Sequence, residues 1–368
     1  MSVRERVSQV AGIMEPGWKS PNELPWDPDN TKFPTRKNLP DIPGAPKGAA
    51  WVWGKDDSIG RLNLLTPARV KAAATEIKTG QLVPLDLPFN VPETPGFARE
   101  KFVHTIKTIV EGIAYDDIYE FNTQCGTQWD GFRHFAHLAS AKFYNGIKGE
   151  DIVGPNANNK CSIHHWAEHG IAGRGVLLDY RSYAKANGID YDPYSAHAIT
   201  YEDLVKCGRA QGIDIRPEAQ GGDIKVGDIL LIRSGWVESY HERSPEERKD
   251  LALRPHSAGP DDGQKYAGVA QEDDMLDWLH DCYFAAVAGD APAFERWPTP
   301  VSYYLHEYIL ALWGMPLGEM WDLERLAKKC RETGRWFFFL TSAPFNVLGE
   351  LHAKFYVLLF TSRIIPPG

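Results

Sequence analysis

The stretch Gln124-Cys125-Gly126-Thr127-Gln128-Trp129-Asp130-Gly131-Phe132-Arg133-His134 is the densest polar cluster in an otherwise apolar setting. It follows directly on the strand-like run Ile118–Thr123. In an extended or gently turning segment, Gln128 and Asp130 project to the same side of the chain. Gln124 and His134 lie four residues to either side of that pair. Gly126 and Gly131 let the backbone curl so that all four can converge. Two amide oxygens, one carboxylate and one imidazole suit a borderline or hard divalent ion such as zinc or manganese. The competing account is a turn-rich strand end whose amides satisfy backbone groups.

Outward from this cluster the pattern alternates. Strands are predicted over Leu82–Phe89 and Phe102–Gly112, then over Gly175–Tyr180, Asp228–Arg233 and Phe284–Ala288. Helices are predicted over Ala68–Lys78, begun by Thr66-Pro67 and ended by Gly80, and over Tyr201–Gln211 and Glu272–Asp281. A short helix falls within Asn158–Ala172, and strand and helix alternate over Tyr303–Cys330 before the apolar Trp336–Leu340. Strands interleaved with a handful of helices give a mixed α/β single domain over residues 51–368. Residues 238–268, charged and rich in Pro and Gly, read as a surface excursion. Residues 1–50, rich in Pro, Asn and Asp, read as an extended N-terminal arm whose Trp18, Trp26 and Phe33 favour wrapping onto a neighbouring surface.

The 368 residues carry 40 Lys and Arg against 49 Asp and Glu, a formal charge of −9. That balance argues against nucleic acid or an anionic membrane as the main partner. No apolar run reaches membrane-spanning length, and the first residues lack the apolar centre of a signal peptide. The 5 cysteines are scattered without a CxxC pair, which fits reduced thiols in a cytoplasmic protein and excludes a disulfide scaffold. GxGxxG, Walker and GxSxG sequences are all missing, so nucleotide cofactors and a serine elbow have no support.

The Gln124–His134 segment resembles the signature of the cyclase-type metal-dependent hydrolases, commonly H-x-G-T-H-x-D-x-P-x-H. This chain keeps Gly126, Thr127, Asp130 and His134, and has Gln124 and Gln128 in place of histidines and Phe132 in place of proline. The Q-x-x-x-Q-W-D-x-x-x-H form is similar to the branch containing trans-dienelactone hydrolase. Further ordered blocks match along the chain: Trp53–Asp57 through Asn63–Pro67, Gly170–Asp179, Ile232–Trp236, Gly289–Pro292 and His306–Glu319. The resemblance implies a swivelling β/β/α fold, assembled as a homodimer or homotetramer, with a small-molecule substrate. It implies that Gln124, Gln128 and Asp130 ligate a divalent metal, that His134 is the general acid/base and sometimes also a ligand of a second ion, and that His306 and Glu319 hold that second ion in two-metal relatives. A cation there would acidify a water that opens a small cyclic ester or cyclic amide, His134 moving the proton. A lyase or ring-closing reaction at the same site, or a catalytically silent binding or scaffold protein, are the rival functions.

Other residues have plainer accounts. His306 falls on the apolar face of a predicted helix, Ser302–Trp313, where core packing competes with ligation. Glu319 sits between apolar neighbours, where a paired structural carboxylate is the alternative. Asp290 either orients His134 or caps a turn, Arg133 reads as a salt-bridge partner, and Cys125 as packing. Trp18, Trp129 and Phe132 are candidate walls of an apolar substrate pocket. The tail from Phe345 departs from the family pattern.

Overall fold

The computed structural model describes residues 23–257 and 259–361, the side chains of 355–361 excepted. Thirteen strands are formed among the described residues: β1 Gln81–Pro84, β2 Val103–Val110, β3 Ala114–Glu120, β4 Gln128–Asp130, β5 Ile171–Leu178, β6 Ala198–Ile199, β7 Ile229–Ile232, β8 Gly268–Val269, β9 Ala286–Gly289, β10 Leu317–Glu319, β11 Phe337–Pro344, β12 His352–Ala353 and β13 Phe355–Thr361. Nine of them make one sheet in the order β1-β13-β11-β5-β7-β9-β10-β4-β12. Its centre, β5-β7-β9-β10, is parallel, and the strands on either flank are antiparallel. The expected α/β class is therefore correct.

The central strands are buried on both faces, as their unbroken apolar runs require: Ile229–Ile232 and Ala286–Gly289 have no exposed position. Helices Tyr201–Ala210 and Asp273–Asp281 fall within a residue of the expected spans, and Glu324–Thr333 runs three residues past the expected Tyr303–Cys330 alternation. Thr200 caps the first of these by accepting from Asp203 N. Other expectations shift. Strand character after residue 81 stops at Pro84, and the helix after Thr66 runs Pro67–Ala73 before tightening over Ala74–Glu76. The segment expected as helix Ser302–Trp313 forms a π-helical turn, Glu307–Leu312. The 238–268 excursion carries two helices, Trp236–Glu242 and Pro245–Ala252.

Of the N-terminal segment, Trp26 is buried against Trp53 and its N–H donates to Val52 O, while Phe33 stacks on Tyr283. Arg36 pairs with Asp277 and Asp273. Trp18 lies outside the described residues. β2 and β3 form a separate two-stranded ribbon whose Ile106, Ile109, Ile113 and Ile118 are all exposed. All five cysteines are free and buried. No helix among the described residues is long and apolar enough to cross a membrane.

Candidate metal and active site

The quoted cluster lands on the short strand β4, one from the sheet edge. Gln128 lies opposite Glu319 of β10, and Asp130 lies opposite Leu317 of β10 on one side and His352 of β12 on the other. Strand alternation sends Gln128 and Asp130 to one face and Trp129 to the other. This corrects the expectation for Trp129, which is fully buried in the core against Trp166 and Trp321, its Nε1 donating to Ser342 Oγ. Phe132 is likewise no pocket wall: it packs against Tyr144 and Trp166 with no exposure.

On the site face, the structure brings together Gln124, Gln128, Asp130, His134, His306 and Glu319. Gln124 Nε2 donates to Asp130 Oδ1, and Gln128 Nε2 donates to Glu319 Oε2 at 3.0 Å and to Gln124 Oε1 at 3.3 Å. The two amides thus brace the two carboxylates. Gln124 is committed on both its polar atoms, whereas Gln128 Oε1 is buried with no partner, as is Asp130 Oδ2. His306 Nε2 lies 3.3 Å from Glu319 Oε1 and 3.7 Å from Asp130 Oδ2, and its Nδ1 is 2.6 Å from Glu295 Oε1.

Within this cluster two groups of ligand atoms lie close enough to share an ion, Asp130, His306 and Glu319, and Asp130, His134 and His352; a third group, His164, His165 and Glu168, includes no residue of the cluster. The first set fits a divalent cation on its donor chemistry. It offers two carboxylates and an imidazole whose far nitrogen is oriented by a buried carboxylate, the usual support of a metal-binding histidine. The orphaned Asp130 Oδ2 and Gln128 Oε1 are consistent with that fit. No local sequence pattern marks Glu295, Arg99 or His352 as part of the site. Each lies far along the chain from the motif, and only strand pairing and loop closure bring them to it.

The electrostatics separate the groups. Burial pushes Asp130 up, but the His134 and His306 rings and Arg99 more than offset it and hold the carboxyl below its ordinary range. Burial and the neighbouring Asp130 raise Glu319 to about 7. His306 is raised well above an ordinary histidine, its burial outweighed by Asp130, Glu295 and Glu319. His134 is driven well down by burial and by His352, so it is neutral at physiological pH.

His134, His306 and Glu319 line a cavity of about 210 Å³ together with Phe97, Phe135, His256 and Trp297, and Asp130 is fully buried. A hollow of about 440 Å³ beside Tyr201 and Arg216 is larger but lacks such a cluster. Arg99 also lines the 210 Å³ cavity; its Nη1 donates to Gln124 O at 3.2 Å and its guanidinium lies 5.0 Å from the Phe97 ring. No carboxylate among the described residues pairs with it.

Asp290 does not reach His134. It caps a turn, accepting from Ser234 N and Oγ and from Gly235 N and Trp236 N at 2.6–3.0 Å. Arg133 makes no ion pair among the described residues, against expectation. Its Nη2 donates to the Asp151 carbonyl instead. Cys125 is buried beside Lys354, as a packing role requires.

The family model described as "Putative cyclase" matches residues 83–296, more than half of the chain, and the chain belongs to that cyclase family. A crystal structure described as a novel cyclase superposes with a TM-score of 0.71 at 28% identity, covering 85% of this chain and 99% of that one. Isatin hydrolase A from Ralstonia solanacearum shares the fold, with a TM-score of 0.54, 16% identity, and coverage of 81% and 98%. An isatin hydrolase bound to the product analogue thioisatinate gives a TM-score of 0.50 at 14% identity, covering 81% and 98%. No curated protein matches the sequence.

Proposed function

We propose that the protein is a metal-dependent hydrolase that opens a small cyclic ester or cyclic amide. The observation that carries the reading is the convergence of Asp130, His306 and Glu319, the last two lining an aromatic-walled cavity beside the neutral imidazole of His134. A divalent cation, zinc or manganese, held by those three residues would polarise the scissile carbonyl and bring the pKa of a water toward neutrality. The chain does the rest. Glu295 fixes the tautomer of His306, accepting from its Nδ1. Gln124 and Gln128 hold the two carboxylates in place, and Gln128 Oε1 is available as a further neutral donor. His134, uncharged and facing the cavity, takes the proton of the attacking water and returns it to the leaving oxygen or nitrogen.

The wall chemistry points to a flat, partly apolar substrate. Phe97, Phe135 and Trp297 offer ring faces and exclude water, and Arg99 offers a guanidinium with no carboxylate of its own. An anionic substituent on the substrate would complete it. The cyclase family and the isatin hydrolase names among similar folds support hydrolysis over the rival scaffold role. The exposed apolar residues of the β2–β3 ribbon support a homo-oligomer.

The test is a panel of lactones and cyclic amides given to protein stripped by a chelator and then reloaded. The proposal expects ring opening only after reloading, and its loss in Asp130→Asn. Equal turnover by stripped and reloaded protein would overturn it.

A further inference from the structure

Asp130 and His134, each used singly in the chemistry above, also form a second group of ligand atoms with His352, which that chemistry does not use. His352 stands on β12, in register with Asp130, and its ring lies 4.2 Å from the His134 ring, centre to centre. One donor atom from each of the three residues lies within 4.8 Å of the other two. His352 Nε2 is shut away from solvent with no hydrogen-bond partner, and Asp130 Oδ2 accepts no hydrogen bond. A buried imidazole nitrogen with nothing to bond to is costly, so its placement beside a second imidazole and a carboxylate calls for a ligand.

Resting on the hydrolase reading, we propose that Asp130, His134 and His352 form a second, inhibitory site for a borderline divalent cation such as zinc, with Asp130 shared between the two sites. Occupancy there engages the lone pair with which His134 accepts a proton. The enzyme then keeps its first cation and loses its proton carrier.

The order of filling follows from charge. The first position has the carboxylates of Asp130 and Glu319 at hand and that of Glu295 behind His306. The second has only the shared Asp130 and two imidazoles, and the charges of Arg99 and His306 act on it. Its affinity is therefore lower, by at least about tenfold, since the loss of one charged ligand interaction exceeds about 1.4 kcal/mol. Activity should rise as the first equivalent of zinc binds and fall as the second binds.

The experiment titrates zinc into chelator-stripped protein, reading bound metal by elemental analysis after equilibrium dialysis and ring opening with the best lactone of the panel. Wild type is expected to bind two equivalents in separate steps and to lose activity by at least about tenfold over the second. His352→Phe, which fills the same space without a donor, should bind one equivalent, keep the rising limb and lose the falling one. If that variant melts early, His352→Cys is the second probe: a thiolate ligand restores the second equivalent and, with cobalt(II), adds a sulfur-to-metal charge-transfer band. Two equivalents bound by His352→Phe, a single equivalent bound by wild type, or a folded His352→Cys without the band would each overturn the inference while leaving the hydrolase reading intact. Failure of wild type to take up even one equivalent would overturn both.

Discussion

Replacement of Arg99 by Gln tests how the cavity chooses its substrate. The guanidinium is largely buried, lies against the Phe97 ring, and spends one nitrogen on the Gln124 carbonyl. Burial lowers its pKa, while the nearby Glu319 and Asp130 charges pull the other way, and it stays cationic at any physiological pH. A hydrogen bond from such a cation to a substrate carboxylate contributes about 1.5–3 kcal/mol, and solvent screening is weak inside the cavity. At 1.36 kcal/mol per factor of ten, Arg99→Gln should lower kcat/KM for a carboxylate-bearing lactone by about 10- to 150-fold. Glutamine keeps a donor for the Gln124 carbonyl, so the metal cluster is preserved. The assay compares a lactone acid with its own methyl ester at fixed ionic strength. The ester should change by less than about threefold. An equal fall for acid and ester would mean that Arg99 supports the cluster and reads no charge, and no fall for either would remove it from the site.

Three further outcomes are expected. Asp290→Ala strands three backbone N–H groups and the Ser234 hydroxyl, and should cost about 3–5 kcal/mol in urea unfolding at constant m; a loss under about 1 kcal/mol would contradict the capping role. Burial works to raise the Glu238 carboxyl, but the hydrogen bonds from Arg181 and Lys185 and the charge of Arg233 bring it down to about 2. Its folded pKa lies below its unfolded value, so its contribution is complete above about pH 4.5 and is lost as pH falls toward 2. Unfolding measured from pH 6 to pH 2 should therefore show a shallower acid limb for Glu238→Gln, on the order of 1 kcal/mol after screening, and parallel limbs would refute it. Ile106→Glu combined with Ile118→Glu, both on the exposed ribbon, should lower the sedimenting mass if that ribbon joins subunits; an unchanged mass would place the interface elsewhere.

What the sequence made legible follows its local physics. Apolar runs such as Ile229–Ile232 can only be buried strands, and the two-residue spacing of Gln128 and Asp130 put both on the site face of β4. The same alternation already excluded Trp129 from the cavity, had it been applied to the residue between them. The roles of Asp290 and Arg133 were open because a carboxylate or guanidinium reaches partners that no local pattern specifies. Arg99, Glu295 and His352 were invisible for a related reason: each reaches the cluster through long-range pairing, and His352 lies in the very tail where the family pattern fails. The π-helical turn at Glu307–Leu312 defeated a helix reading based on regular spacing, although it still delivers His306 to the site.

The central claim is that water opens the substrate ring under the control of groups gathered at Asp130. Turnover in ¹⁸O-labelled water by zinc-loaded protein, followed by mass analysis of the product, measures this directly. One labelled oxygen should appear in the new carboxylate with wild type and none above background with Asp130→Asn. A product isomeric with its substrate, or labelling that survives loss of the Asp130 charge, would contradict the account.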